Sequence, residues 1–579
     1  MAPLPPNHTP LGTCLVRKPV ALQFGTSGRR GLLLDLTQLE VFLNALAELE
    51  YLQSLPPQDG GIVRGDVFYF AHDLRPSSSR FVDLPPRRGE LAQAIEHAIG
   101  AAGMRPVNLG CIPTPALMLH AITRGKGSIM VTGSHIPFDR NGYKLNTAVG
   151  ELLKQHEGPI NEYVLEVRRR LYEQPFEASP FDEQGMLKSG SSALSQARDD
   201  AALAYLARYT EFFGDSALRG LRLLVYQHSA VGRDLLPEIL RNVGAEVVCA
   251  GRSETFVPID TENIGAAELA AVQKLFDEAV AQYGTFDAVV STDGDSDRPL
   301  ILGVEPGTQT LRFFGGDLVG MVTAEYLGAD AAVVPISCND AIDRGRLKSI
   351  TEPKTRIGSP YVIAGMERAR AQGKTAVCGW EANGGFLTGT DFVRDGRVLA
   401  ALPTRDAVLP MLAVLSASRS AGLGLTELFG HLPARFSRAA LLKDFPRPVG
   451  LAIVRRLSPV DPAVAELCFA DGGPAAQSVD GTRHPLNAAA SARATAIRHD
   501  LSGFFSPELG FAPIAGLNFV DGVRILFLNG DVAHLRPSGN ADELRIYAVA
   551  DTQQRADAIV AAAIAEPGGI LRQLERWVQ

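Results

Sequence analysis

Val131-Thr132-Gly133-Ser134-His135-Ile136-Pro137-Phe138-Asp139-Arg140-Asn141-Gly142-Tyr143-Lys144 sets a serine hydroxyl after a small apolar strand and a glycine, then a histidine, then a turn ending in lysine. A hydroxyl is weakly nucleophilic at neutral pH, so a serine used in chemistry needs a base, a metal or a covalent modification beside it. His135 and Lys144 would supply proton transfer and positive charge. The plain alternative is a Gly/Pro/Asn turn in which Ser134 caps a backbone group. Working outward, residues 67–71 and 128–132 read as strands and 88–102 as an amphipathic helix, an alternation that predicts a sheet covered by helices. In such sheets ligands sit beyond the carboxyl ends of strands, which is where the Ser134 loop falls.

Far downstream, Val289-Val290-Ser291-Thr292-Asp293-Gly294-Asp295-Ser296-Asp297-Arg298-Pro299 runs a buried-strand pattern into three alternating carboxylates. Acids this close repel one another unless a cation neutralises them, and a hard divalent ion, magnesium foremost, suits an all-oxygen set. A calcium loop of the EF-hand type would place a glutamate about twelve positions from its first ligand. Val304 stands there instead. A solvated acidic turn is the remaining alternative.

With both stretches in hand, the chain resembles the alpha-D-phosphohexomutases, and the markers follow that family's order. Phe24-Gly25-Thr26-Ser27-Gly28-Arg29-Arg30-Gly31 is similar to its N-terminal signature, with Arg30 at the signature arginine. Asp73-Leu74-Arg75-Pro76-Ser77-Ser78 and Gly110-Cys111-Ile112-Pro113-Thr114-Pro115 resemble the next two segments. Gly379-Trp380-Glu381-Ala382-Asn383-Gly384-Gly385 looks like the sugar-binding loop, and Arg536-Pro537-Ser538-Gly539-Asn540 like the terminal phosphate-binding loop. The resemblance implies a phosphoserine at Ser134, with Arg30, His135 and Lys144 as catalytic partners. It implies magnesium held by Ser134, Asp293, Asp295 and Asp297. Substrate would be bound by Arg298, Glu381, Asn383, Arg536, Ser538, Gly539, Asn540 and Arg545. The family generally has a serine at Asn383 and a threonine at Asn540, which leaves the choice of sugar open.

The implied fold is α/β: three related mixed α/β domains and a C-terminal α+β phosphate-binding domain around a central cleft. Their expected bounds are 1–190 with the phosphoserine loop, 191–312 with the metal loop, 313–424 with the sugar loop and 425–579 with the second phosphate loop. The last is longer than the family needs, with a Pro/Gly/Ala-rich middle over 458–494 that the sequence leaves unassigned. Within the second domain helices are expected over 201–213, 232–243 and 266–283 and strands over 221–226 and 246–250. The third should carry a helix over 317–327 and strands over 331–336 and 376–379; the fourth, strands over 522–528 and 543–549 with a loop over 535–540 between them.

Composition is that of an ordinary globular protein: 579 residues, enough for three or four domains, 46% hydrophobic and 21% charged, with mean hydropathy +0.05. A formal charge of −8 argues against a nucleic-acid partner, so local arginines must do any phosphate binding. Six scattered cysteines without a C-x-x-C pair point to reduced thiols and a cytoplasmic protein. The proline-rich opening residues read as a loose tail rather than a secretory signal, and no uninterrupted apolar run is long enough to span a membrane.

The expected reaction interconverts hexose 6-phosphate and hexose 1-phosphate through a hexose 1,6-bisphosphate, in a monomer or homodimer. Mannose phosphate is favoured by the form of the Thr132–His135 and Asn141–Lys144 segments; glucose and glucosamine phosphates also fit. Two readings of another class remain: a serine phosphatase, which has no need of the Arg536 loop, and an inactive phosphosugar-binding protein, whose Ser134 would stay unmodified.

Overall fold

The computed structural model describes residues 9–83, 86–262, 264–470, 473–479, 481–538 and 542–579. The chain forms two compact units, Met1–Leu327 with Asn383–Glu427 and Gly328–Ala382 with Leu428–Gln579.

The first unit opens with a six-stranded sheet in the order Gln23–Phe24, Arg29–Leu32, Arg140–Asn146, Ser128–Val131, Val67–His72, Arg105–Asn108. Its last three strands are parallel, and Arg140–Asn146 turns back antiparallel on Ser128–Val131 with Lys144 opposite Met130. Lys144 is therefore held in a strand, not in the turn its Asn-Gly neighbours predict. The helices Gln38–Ser54, Leu91–Ala101 and Glu157–Tyr172 bury their apolar faces against this sheet around Phe68, Phe70, Ile129 and Val131. Thr37 starts the first of them by accepting the Glu40 backbone N–H at 3.1 Å. The helix expected over 88–102 begins only at Leu91. Gly89 and Glu90 have φ of 118° and 53°, which no helix accepts, and Arg88–Gly89 pair instead with Phe81–Val82.

A five-stranded sheet follows, in the order Glu246–Arg252, Arg222–His228, Ala288–Thr292, Pro299–Val304, Leu311–Phe313. The helix Ala266–Tyr283 matches its expected span because Glu268 caps its start, accepting from Gly265 N at 3.0 Å, and Gly284, at φ 85°, ends it. The helix expected from 232 forms over Leu235–Asn242, since Gly232 N is committed to Ser296 Oγ at 2.9 Å. Also in this unit, helix Gly316–Leu327 packs on Val408–Ala421, and Phe386–Thr388 pairs antiparallel with Leu402–Asp406.

In the second unit Ala331–Val333 lies parallel to Val377–Trp380. The strand expected over 331–336 stops at Val333 because Pro335 offers no N–H to a ladder. An eight-stranded antiparallel sheet dominates the rest, in the order Phe436–Lys443, Glu543–Ala550, Val532–Pro537, Val523–Phe527, Ile514–Asn518, Val464–Ala470, Gly473–Ser478, Arg483–Pro485. The unassigned 458–494 stretch thus adds three strands to the sheet and begins the helix Ala488–Phe504. Alternating Ala465, Leu467 and Ala476 supply its buried face. Arg435, with its side chain fully buried, ties this sheet to the preceding segment through two bonds to Asp340, at 2.6 and 2.8 Å, and one to Asp551 at 2.6 Å. Among the described residues no helix is long and apolar enough to cross a membrane.

Candidate active site

Ser134 follows the strand Ser128–Val131 and has φ of 52°, a left-handed conformation uncommon for a residue with a side chain. Asp73, at the end of the neighbouring parallel strand, holds it there. Asp73 Oδ2 accepts from Thr132 Oγ1 at 2.8 Å and Gly133 N at 3.3 Å, and Thr132 Oγ1 accepts from Ser134 N at 2.7 Å. Arg75 completes the clamp: its guanidinium donates to the carbonyls of Pro137, Arg140, Ile136 and Ser134 at 2.7, 2.9, 2.8 and 3.3 Å. It also stacks 3.9 Å above the Phe256 ring. Arg75 is a loop clamp, buried at 1% exposure.

The acidic loop meets this serine. Ser134 Oγ donates to Asp293 Oδ2 at 2.5 Å, although 159 positions separate them in the chain. Gly294 makes the approach possible, since a Cβ there would lie 2.6 Å from the Ser134 carbonyl oxygen. Asp293 Oδ1 accepts from the Asp297 and Arg298 backbone N–H groups at 3.1 and 3.2 Å. Lys144 Nζ donates to Oδ2 of both Asp295 and Asp297, at 2.7 and 2.6 Å, and Thr114 Oγ1 adds a 2.7 Å bond to Asp295. Arg405 Nε donates to Asp297 Oδ2 at 3.1 Å.

The residues fit a cation. One ligand oxygen from each of the three buried aspartates lies within 4.8 Å of the others. Oδ1 of Asp295 and of Asp297 are buried without a hydrogen-bond partner among the described residues. Each such oxygen costs about 1–3 kcal/mol if nothing meets it. Burial, then the fields of Asp295 and Asp297, pushes the Asp293 carboxyl well above the usual carboxylate range. Burial acts the same way on Asp295 and Asp297, but the cations and donors beside them win: Lys144 and the Thr114 hydroxyl hold Asp295 down, and Arg405 and Lys144 hold Asp297 down. A divalent ion would relieve both the unmet oxygens and the like charge.

Arg30 and Arg298 also face the acidic centre. Arg29 and Arg30 point to opposite faces of their strand, Arg29 inward to Glu48 at 2.6 Å and Arg30 toward the acids. Burial and the fields of Arg298 and Arg405 push Arg30 down to about 10. Arg298 NH1 donates to His135 Nδ1 at 3.0 Å, and that nitrogen lies 3.4 Å from Ser134 Oγ. Burial, reinforced by Arg298 and Arg30, holds His135 well below its ordinary value, so the imidazole is neutral and its Nδ1 is an acceptor.

The first unit therefore brings together Ser134, His135, Lys144, Arg30, Asp293, Asp295, Asp297 and Arg298. It also holds Asn383, whose Oδ1 accepts from Gly385 N at 3.0 Å and so is partly committed to its own turn. Glu381, Arg536, Ser538 and Arg545 belong to the second unit. There Arg536 ends a strand instead of lying in a loop: it sits opposite Arg545 and donates to Asp521 Oδ1 at 3.1 Å, while Arg545 reaches Glu543 at 3.4 Å. Gly539 and Asn540 lie outside the described residues. Sequence reasoning missed Thr114 and Arg405. The first stood inside a quoted segment, whereas nothing local marked the second.

Two histidines behind these sites make the fold acid-sensitive. His228 donates from Nε2 to the Thr292 carbonyl at 2.8 Å, and His534 to that of Asp521 at 2.5 Å. Burial lowers each to about 4. The unfolded chain takes up these protons near pH 6.5 while the fold refuses them until about pH 4, so stability is lost as pH falls through that window and is intact above it. Each histidine costs about 3 kcal/mol across the window. Thermal unfolding should fall steeply between pH 7 and 5, with proton uptake visible by calorimetry in buffers of different ionisation heat; a melting temperature flat over that range would refute it.

Four family models cover most of the chain. Domains I, II and III of phosphoglucomutase/phosphomannomutase, each described as alpha/beta/alpha, match residues 21–169, 204–305 and 315–436, and the C-terminal domain matches 486–566. A phosphomannomutase of Sinorhizobium fredii (strain NBRC 101917 / NGR234) is 36% identical over 94% of this chain and 98% of its own. One of Salmonella muenchen is 34% identical over 93% and 94%. The fold is shared with a solved phosphoglucomutase/phosphomannomutase family protein of Burkholderia thailandensis, at TM-score 0.58 and 16% identity over 96% and 97%. With the serine and the acidic triad in hydrogen-bond contact and all four domains matched in order, the chain belongs to the phosphoglucomutase/phosphomannomutase family.

Proposed function

We propose that the chain is a phosphohexomutase, an isomerase that interconverts mannose 6-phosphate and mannose 1-phosphate through a phosphoserine at Ser134 and a hexose 1,6-bisphosphate. The observation that carries this reading is the 2.5 Å contact between Ser134 Oγ and Asp293 inside an all-oxygen acidic centre. Mannose is supported by the phosphomannomutase relatives at 36% and 34% identity over nearly the whole chain, against 27% over 59% of it for a phosphoglucosamine mutase of Albidiferax ferrireducens.

Asp293, Asp295 and Asp297, with the serine oxygen, would hold magnesium, which supplies positive charge to the transferring phosphoryl group. Ser134 gives that group to a sugar hydroxyl: its P–O bond breaks as the sugar P–O bond forms. The sugar hydroxyl gives up its proton as the bond forms and Ser134 Oγ takes one up as it leaves; His135, with Nδ1 3.4 Å from that oxygen, relays it once Arg298 turns from the imidazole to the phosphoryl oxygens. Lys144 acts as counter-ion to Asp295 and Asp297 in this reading rather than as proton carrier. Arg30 and Arg298 orient the phosphoryl oxygens. The bisphosphate then turns round and returns its other phosphate to Ser134. Glu381 and Asn383 are assigned to sugar hydroxyls, and Arg536, Ser538, Gly539, Asn540 and Arg545 to the phosphate that is not reacting. The domain bounds at 190, 312 and 424 belong to the same reading.

A coupled assay offering mannose 1-phosphate and glucose 1-phosphate separately, each with a trace of its bisphosphate, tests this. Turnover of the mannose ester at higher kcat/KM is the expected result. Preference for glucose would move the substrate within the family, and release of inorganic phosphate without isomer would make the protein a phosphatase.

A further inference from the structure

The two oxygens of Asp297 do different things. Oδ1 is buried with no hydrogen-bond partner among the described residues, though Arg298 Nε lies 3.6 Å from it, whereas Oδ2 accepts from Lys144 Nζ at 2.6 Å and from Arg405 Nε at 3.1 Å. Lys144 bridges Asp297 and Asp295, so it balances charge between them without fixing the plane of either. Arg405 is the contact that adds orientation. Its guanidinium is rigid and planar, and its Nε gives Oδ2 a second donor beside Lys144 Nζ.

Arg405 is itself held. It lies near the end of the strand Leu402–Asp406, and the next residue, Asp406, is buried. Asp406 Oδ1 accepts from Tyr205 OH at 2.6 Å and from Val408 N at 2.9 Å, and Oδ2 accepts from Tyr209 OH. Both tyrosines are fully buried on helix Asp200–Phe213, edge to face with ring centroids 5.0 Å apart. Two phenols thus pin the carboxylate beside the arginine, and with it the backbone that presents the guanidinium.

A carboxylate ligand whose outer oxygen is unheld swings about its terminal torsion, which is broad. Holding that oxygen preorganises the inner one. We propose that Arg405 is a positioning residue of the acidic centre: it fixes Asp297 so that Oδ1 faces a hard divalent cation, and the Tyr205–Asp406–Tyr209 lock keeps the strand end that carries it. This rests on the reading of the aspartate triad as metal ligands.

The test is Mn²⁺ binding to the full chain, followed by electron paramagnetic resonance without any sugar phosphate. Arg405→Gln should weaken binding about 10- to 100-fold, the range typical for partners of metal ligands. Arg405→Lys and the double variant Tyr205→Phe/Tyr209→Phe should shift it in the same direction by less, with circular dichroism unchanged. These two milder variants carry the test if Arg405→Gln does not fold. Asp297→Asn separates the two levels of the argument. If it loses Mn²⁺ while folded Arg405 and tyrosine variants bind as wild type does, the positioning role is overturned and the metal centre stands. If Asp297→Asn binds as wild type does, the triad reading falls and the inference with it.

Discussion

Replacing Ser134 by alanine is expected to lower mutase turnover by at least about 10⁴-fold, because it removes the hydroxyl beside Asp293, and the Thr114 hydroxyl at the same centre is committed to Asp295. After incubation with a hexose bisphosphate, the variant should lack the added phosphoryl mass that the parent protein retains. The fold should survive. Ser134 N still donates to Thr132 Oγ1, and the side chain lost makes its close bond only to Asp293. At φ of 52° a Cβ is strained by about 1–2 kcal/mol in serine and alanine alike, so the alanine adds no strain of its own. Ser134→Gly, which adopts that φ freely, is a second variant without the hydroxyl and should be equally inactive. An alanine variant that isomerises at even a tenth of the parent rate would mean that the phosphoryl group travels through another residue.

The second large effect is expected at Arg75. Arg75→Met removes four charge-assisted bonds to the carbonyls of Ser134, Ile136, Pro137 and Arg140; Ser134 is buried, whereas Pro137 is exposed and its carbonyl keeps the Arg140 N–H at 3.1 Å. Leaving the buried Ser134 carbonyl without this donor costs about 1–3 kcal/mol, and the carbonyls that water can reach cost less. The loop that holds the nucleophile should loosen, so amide exchange over residues 133–140 should rise sharply and kcat should fall with stability. Arg75→Lys should not rescue either property, since one ammonium cannot span four carbonyls that surround a planar fork. Unchanged exchange in the Met variant would show that Asp73 and Thr132 alone hold the loop.

The chain order of the motifs was enough to read the family, the α/β class and the serine and aspartates, because each is a local pattern: a strand, a turn, then polar side chains at fixed spacing. Elements with local caps, such as Ala266–Tyr283, fell where the sequence placed them. Those decided by a distant partner did not. Leu91–Ala101 starts late because Gly89 and Glu90 turn the chain toward Phe81–Val82. The Pro/Gly/Ala-rich stretch over 458–494 shows little hydrophobic alternation of its own, and becomes strands because Ile514–Asn518 offers it an edge.

The sequence by itself named the residues that bring hydroxyl, carboxylate and positive charge to the centre. Tertiary structure alone decided how they meet: that Lys144 bridges two aspartates, that Arg75 grips the loop rather than a ligand, and that Arg405, unremarkable in its own segment, reaches Asp297 across 108 positions. A hydrogen bond depends on separations of about 3 Å. Sequence spacing carries that information within a turn, and loses it once the partners lie on different strands.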